Sequence, residues 1–295
     1  MLAKLAAGAP GYDVLVPTGN AVEALVRQQS LRPIEKSLLP NLANIKPEFM
    51  RAWFDPDNTW SIPYAYSITL IGFNRERMDA FGIPTDSWAA MFEPMHLARL
   101  KGKVTVLDSQ RELMAAALMY LGYPVNTTDH GRWREARDVI LRAKPYWAAF
   151  NAASYFKGLA IGNIWLAHGY SNDLYIAQQD ARTARRKFSI GYATPREGAV
   201  FALDNLVVHK SSRRPDLAHR FIDLLLDGRS SAALTNNIGA GSPNAAAISL
   251  IRPELAGNTT LFPDGESLAR LQQLRDLDRT ARRLLNRLWI EIKVR

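Results

Sequence analysis

The stretch Phe54–Asn74, FDPDNTWSIPYAYSITLIGFN, decides the fold. It opens as a turn-rich acidic loop, Asp55-Pro56-Asp57-Asn58, in which Asp and Asn side chains bond to nearby backbone and so favour turns. Further on, the residue before Pro63 is pushed towards extended geometry. Ile68, Leu70 and Ile71, with Thr69 and Phe73, then make a β-branched and aromatic run that ends at Asn74, the pattern of a buried strand. An extended segment of this length suits a crossing between two lobes better than the interior of one compact domain.

On the N-terminal side, Tyr12–Pro17 (YDVLVP) reads as a short buried strand that runs into the turn residues Pro17-Thr18-Gly19-Asn20. Taken as a parallel strand it needs neighbours and helical cover on both faces, and little chain precedes it to supply them. Ala21–Gln29 reads as a helix with Val22, Leu25 and Val26 on one face.

On the C-terminal side, Asp108 or Ser109 caps a helix over Arg111–Leu121, with Glu112 in its first turn. Thr128 or Asp129 caps a second helix, Trp133–Ala143. Phe150–Ile164 is aromatic-rich and fits neither pattern cleanly. Trp165–Asp173 (WLAHGYSND) reads as a strand running into a polar loop that contains His168. Phe188–Ala193 and Ala199–His209 are further strands, the second passing through Asp204. A helix with Pro215 in its first turn runs to Leu226 and is ended by Gly228. Gly239–Pro243 is a loop, and a C-terminal helix is expected over Glu266–Ile292 with a leucine-rich face. Strands alternating with helices argue for an α/β fold.

Composition narrows the chemistry. The 295 residues are 47% hydrophobic and 22% charged, ordinary globular values. There is no cysteine, which excludes disulfides, thiolate metal sites and cysteine nucleophiles. No window reaches the roughly 18 uncharged apolar residues of a membrane span, and MLAKLAAGAP lacks the apolar core of a signal peptide. The formal charge is +9, of which +5 falls within Arg270–Arg295. That basic stripe reads first as a solvated helix face and second as a surface for nucleic acid or an anionic membrane. The five histidines are dispersed and no nucleophile elbow, phosphate loop or dinucleotide fingerprint is present, so no enzyme, cofactor or metal is expected. Three carboxylates at strand ends and helix starts remain: Glu112, Asp173 and Asp204. With an aromatic wall from Tyr170 they suit an organic cation, through charge-assisted hydrogen bonds and cation–π contact. Each acid also has a structural reading, as a helix-start, turn or loop-anchoring residue.

Six segments occur in an order that resembles the bacterial periplasmic polyamine-binding proteins, the spermidine/putrescine receptors of ABC importers. They are YDVLVPT at 12–18, the 54–74 stretch, LDSQRE at 107–112 followed by YLGYPVNTT, AHGYSND at 167–173, PREGAVFALDNLVV at 195–208 and IGAGSPNAAA at 238–247. The resemblance implies a two-lobed type II periplasmic-binding-protein fold that closes on its ligand. Residues 1–73 and 203–251 would form lobe 1, and 74–202 and 252–295 lobe 2, with hinge crossings near 71–75 and 200–204. It implies ligand-binding roles for Thr18, Asn20, Glu112, Tyr170, Asp173 and Asp204, a polyamine-like ligand, ABC permease subunits as partners, no nucleic acid, and a monomer. Ala202 and Ala240 stand where the family has aromatic residues, Ser109 where one branch has an acid, and Asn20 where the family has an aromatic or small polar residue. A wider pocket and another small organic ligand are therefore the alternative. The family also has a signal peptide, a strand, a Trp-containing loop and a helix before the YDVLVP strand. The expectation is a chain truncated at its N-terminus, missing the first strands of lobe 1, whose full-length form is periplasmic.

Overall fold

The computed structural model describes residues 11–263 and 265–294; the leader reading of MLAKLAAGAP lies outside the described residues. The chain divides into two compact units, one made of residues up to Ser67 with Ala202–Asn258, the other of Ile68–Phe201 with Thr259 onward.

In unit one the chain begins with β1 (Val14–Leu15), α1 (Gly19–Arg27) and β2 (Leu31–Arg32). β1 is antiparallel to the end of a long returning strand, with Val14 opposite Val208, so the expectation of a parallel neighbour is corrected. A hairpin-like approach from a distant strand satisfies its backbone with only two paired residues. The DPDN turn forms as its chemistry requires. Asp55 is buried and accepts the Thr59, Trp60 and Ser61 N–H groups at 2.8–2.9 Å and the Ser61 hydroxyl at 2.8 Å. That knot launches β3 (Ile62–Asn74), whose thirteen residues leave unit one between Ser67 and Ile68.

Unit two begins within β3. Asn74 ends the strand and caps α2 (Arg75–Phe81) by accepting the Arg77 N–H. β4 (Val104–Val106) leads to α3 (Gln110–Tyr120) and α4 (His130–Ala143), the latter capped by Asp129. β5 (Ala149–Phe150) and α5 (Tyr155–Ile161) resolve the ambiguous aromatic segment into a strand and a helix. β6 (Leu166–Tyr170) follows, then α6 (Ser171–Thr183), β7 (Ile190–Ala193) and β8 (Ala199–His209). Here the expected polar loop after WLAHGY is instead the first turn of α6, and His168 lies in the strand. β6 lies antiparallel to β3, with Thr69 opposite Tyr170, and parallel to β4. The core is aromatic and leucine-rich, with Trp88, Trp133, Leu113, Leu118 and Ile140 fully buried.

β8 returns the chain to unit one between Phe201 and Ala202. Its alternation there builds two cores. Leu206 and Val208 face Ile62, Ile222 and Leu226, while Val207 faces Leu15, Leu25 and Phe54, the period-two pattern of a strand covered on both sides. α7 (Pro215–Leu226) starts at its proline. Gly228 does not simply end it. Asp227 accepts the Arg229 and Ser230 N–H groups and caps a further helix, α8 (Gly228–Ile238), which closes on Gly239 at φ 70°.

The C-terminal segment corrects the expected continuous helix. A short helix (Gly265–Ala269) is followed by β9 (Leu271–Gln272), parallel to Ala199–Val200 of β8, and only then by α9 (Arg279–Val294). Asn126 holds the stretch between them extended: its amide donates to the Gln273 carbonyl at 2.8 Å and its oxygen accepts the Arg275 N–H at 2.9 Å. Leu274 and Leu277 still pack on the unit-two core, so their three-residue spacing records burial without a helix.

Candidate functional site

In unit one, the turn after β1 and the middle of β8 come together: Thr18 and Asp204 form an antiparallel bridge. Thr18 stands at the start of α1 but does not cap it with its side chain. Its hydroxyl donates to the Asn20 amide oxygen at 2.7 Å instead, which fixes two of the sequence-predicted residues against each other. Asp204 differs from Glu112 and Asp173, each of which accepts a hydrogen bond. Its carboxylate accepts no hydrogen bond and meets no cation among the described residues, although burial pushes its pKa up from 3.8 to about 6. Tyr64 faces it. The phenol pKa is raised first by burial and then by the charge of Asp204. Sequence reasoning missed Tyr64; the available signal was its place in the FDPDNTWSIPYAY stretch, two residues before Tyr66 on the same strand. Ala202 is half-buried and Ala240 buried, and Tyr66 lies against Gly241, where a Cβ would fall 2.0 Å from its ring.

In unit two, Glu112 sits in the first turn of α3 and is 8% exposed. The Thr69 hydroxyl donates to it at 2.7 Å. Burial raises its pKa from 4.5 to about 7, opposed by the Thr69 hydrogen bond and by Arg111. Arg111 itself is turned to the C-terminal stretch, donating to the Arg275 carbonyl at 3.0 Å. Because Thr69 is paired with Tyr170 across β3 and β6, Glu112 and Tyr170 attach to one register position.

Asp173 stands in the first turn of α6, within a network organised by Tyr155 of α5. The Tyr155 hydroxyl donates to Asp173 Oδ2 at 2.7 Å and accepts the Tyr170 N–H at 2.8 Å, while Asn172 donates to Oδ1 at 3.1 Å. Burial raises the Asp173 pKa and the Tyr155 hydrogen bond opposes the rise. Gly169 makes this possible, since a Cβ there would lie 2.2 Å from the Tyr155 ring. Tyr155 was the second residue missed, hidden in the ambiguous Phe150–Ile164 segment.

His168 is placed apart from this chemistry. It is fully buried, its ring nitrogens have no hydrogen-bond partner among the described residues, and burial lowers its pKa to about 3. Its ring meets the Trp88 ring edge-on at 5.3 Å. It is a neutral core residue.

Thr18, Asn20, Tyr64 and Asp204 thus gather in unit one, and Thr69, Glu112, Tyr155, Tyr170 and Asp173 in unit two. Both groups are rich in partly desolvated carboxylates and phenols. Such groups bind cations strongly and neutral molecules weakly.

Comparison with known proteins agrees in kind. The family profile described as Bacterial extracellular solute-binding protein matches residues 1–261. The chain is 53% identical over 295 residues to the Putrescine/cadaverine-binding protein of Pseudomonas aeruginosa, covering 100% of this chain and 83% of that protein. It is 30% identical to the Putrescine-binding periplasmic protein PotF of Escherichia coli, covering 98% of this chain and 80% of that one. Among solved structures, the putative spermidine/putrescine ABC transporter from Listeria monocytogenes superposes with a TM-score of 0.91 at 28% identity, over 100% of this chain and 87% of that one.

Proposed function

The chain belongs to the bacterial extracellular solute-binding proteins, and on that premise we propose that it captures a short aliphatic diamine of the putrescine class in the periplasm for an ABC importer. The observation that carries this reading is Asp204, a half-buried carboxylate to which the fold gives no partner among the described residues. An ammonium group offsets that desolvation with a charge-assisted hydrogen bond of about 1.5–3 kcal/mol. Tyr64 beside it offers a π face to the same cation.

Glu112 and Asp173 are assigned the same role towards an ammonium, and Thr18 and Asn20 that of polar contacts. Tyr170 is assigned packing on the alkyl chain. Two or three such hydrogen bonds with alkyl burial approach the roughly 8 kcal/mol of micromolar binding. The relatives named for putrescine and cadaverine support a ligand with two cationic ends. The family's work is solute binding, and no reaction is assigned to these groups. A permease that receives the loaded protein completes the proposal.

The test is calorimetric titration of putrescine and cadaverine into wild type and Asp204→Asn. The variant keeps the size of the side chain and removes its charge, and it is expected to bind at least tenfold more weakly. Equal affinities would remove Asp204 from the site.

A further inference from the structure

At the far end of α6 from Asp173, unit two holds a cavity of about 280 Å³ whose lining includes Arg75, Arg182, Arg185 and Arg186. Nine residues separate Asp173 from Arg182, which is about 13 Å along a helix, so this cavity is remote from the acids assigned to the amine. None of the four guanidiniums makes an ion pair or hydrogen bond among the described residues, and all four residues are exposed on the surface. Arg75 lies over the Phe73 ring at 5.6 Å and is attracted to Glu76. Glu76 is occupied, accepting the Ser189 N–H at 2.9 Å and the Ser189 hydroxyl at 2.8 Å. Four like charges around one cavity repel one another, and nothing in the local structure requires them all.

Arg182 has an ordinary structural reason to be there, because a cation in the last turn of a helix suits its dipole. Arg185 has none. It occupies the position just past α6 where the chain turns left-handed, at φ 49°, while the Arg186 N–H closes the turn on the Ala181 carbonyl at 3.0 Å. Glycine suits that conformation and a residue with a Cβ is strained in it. Arginine rather than glycine at this turn, lining one cavity together with three others, concentrates positive charge there beyond what the turn requires.

We propose that this cavity is an anion site for a phosphate group carrying more than one negative charge, either free in solution or borne on a lipid headgroup. Guanidinium forks match phosphate oxygens in pairs, and the cavity exceeds the roughly 30 Å³ of a water severalfold, enough for an oxyanion with bridging waters.

Inorganic pyrophosphate is the soluble probe, titrated by calorimetry at low salt. Vesicles of phosphatidic acid in phosphatidylcholine, measured by co-sedimentation, are the membrane probe. Saturable binding in the first arm identifies a free phosphate, and binding in the second arm alone a headgroup. In whichever arm wild type binds, Arg182→Gln/Arg185→Gly is expected to lose at least tenfold in affinity with putrescine titration unchanged. Arg185→Gly alone is expected to weaken phosphate binding without lowering the melting temperature, since glycine relieves the strained turn; this separates a lost site from a lost fold. No saturable binding in either arm, or a loss smaller than tenfold in the double variant, overturns the proposal.

Discussion

Asp204 and Glu112 are held in a state that costs the folded protein something, and pH exposes the cost. Burial raises their pKa values from 3.8 to about 6 and from 4.5 to about 7. Each therefore binds its proton more tightly folded than unfolded. The stability they contribute is complete below the unfolded carboxylate range and is lost as pH rises, through about 6 for Asp204 and about 7 for Glu112. For the almost fully buried Glu112 the effect is on the order of 3 kcal/mol. Thermal unfolding of the ligand-free protein should show Glu112→Gln melting above wild type at pH 8, with the difference gone at pH 4; a variant that melts lower at pH 8 would contradict a strained, ionised Glu112. Binding runs the other way. An ammonium prefers the ionised acids, so diamine affinity should fall as pH drops through about 7 and then about 6. Tyr155 makes a different kind of prediction. Tyr155→Phe removes the hydroxyl that donates to Asp173 Oδ2 and accepts the Tyr170 N–H, leaving Asn172 as a donor to Asp173, which should cost about 1–3 kcal/mol in urea unfolding and weaken amine binding. The sequence singled out the acids by residue type and position, although Asp204 lies in the middle of β8 and not at a strand end. Tyr64 and Tyr155 were not singled out, because their roles come from neighbours far along the chain.

Elements were legible where local chemistry decided them. β8 follows the alternating apolar run Ala199–His209, and α7 starts at Pro215 and ends at Leu226 as the sequence indicates. Two misreadings share one cause: a residue with two local meanings. Gly228 can end a helix or begin the next, and the side chain of Asp227 decides for the second by capping α8. Asp227→Ala should therefore destabilise unit one by about 0.5–2 kcal/mol in chemical unfolding, an effect absent if Gly228 merely terminated α7. The leucines at 271, 274 and 277 fit a helical face, yet β9 pairing and the Asn126 bonds hold the chain extended. Those partners, β8 at residues 199–200 and Asn126, lie far along the chain and leave no mark in a local window. Helix placement at the site depends on close approach: a Cβ at Gly72 would lie 2.2 Å from Leu174 of α6, so Gly72→Ala should displace the helix that carries Asp173.

At the scale of the whole molecule, β3 and β8 are the strands that carry the chain from one unit to the other and back, and each unit has its own core. β3 alone is thirteen residues long, more than twice an ordinary strand, and it was this length that made the stretch stand out in the sequence. Both units carry desolvated acids, although the chain as a whole has a formal charge of +9. Net charge is thus a poor guide to the ligand, and local desolvation a better one. A diamine at a hundredfold excess over its pH 8 Kd should stabilise the protein by about 2.7 kcal/mol, and at that same fixed concentration the rise in melting temperature should shrink as pH falls to 5. The most direct test of the central claim is a paired calorimetric titration at pH 6.5 with putrescine and its uncharged isostere 1,4-butanediol, repeated in buffers of different ionisation enthalpy. Putrescine should bind saturably and release protons to the buffer, and the diol should not bind. Equal binding of both, or diamine binding with no proton release, would contradict it.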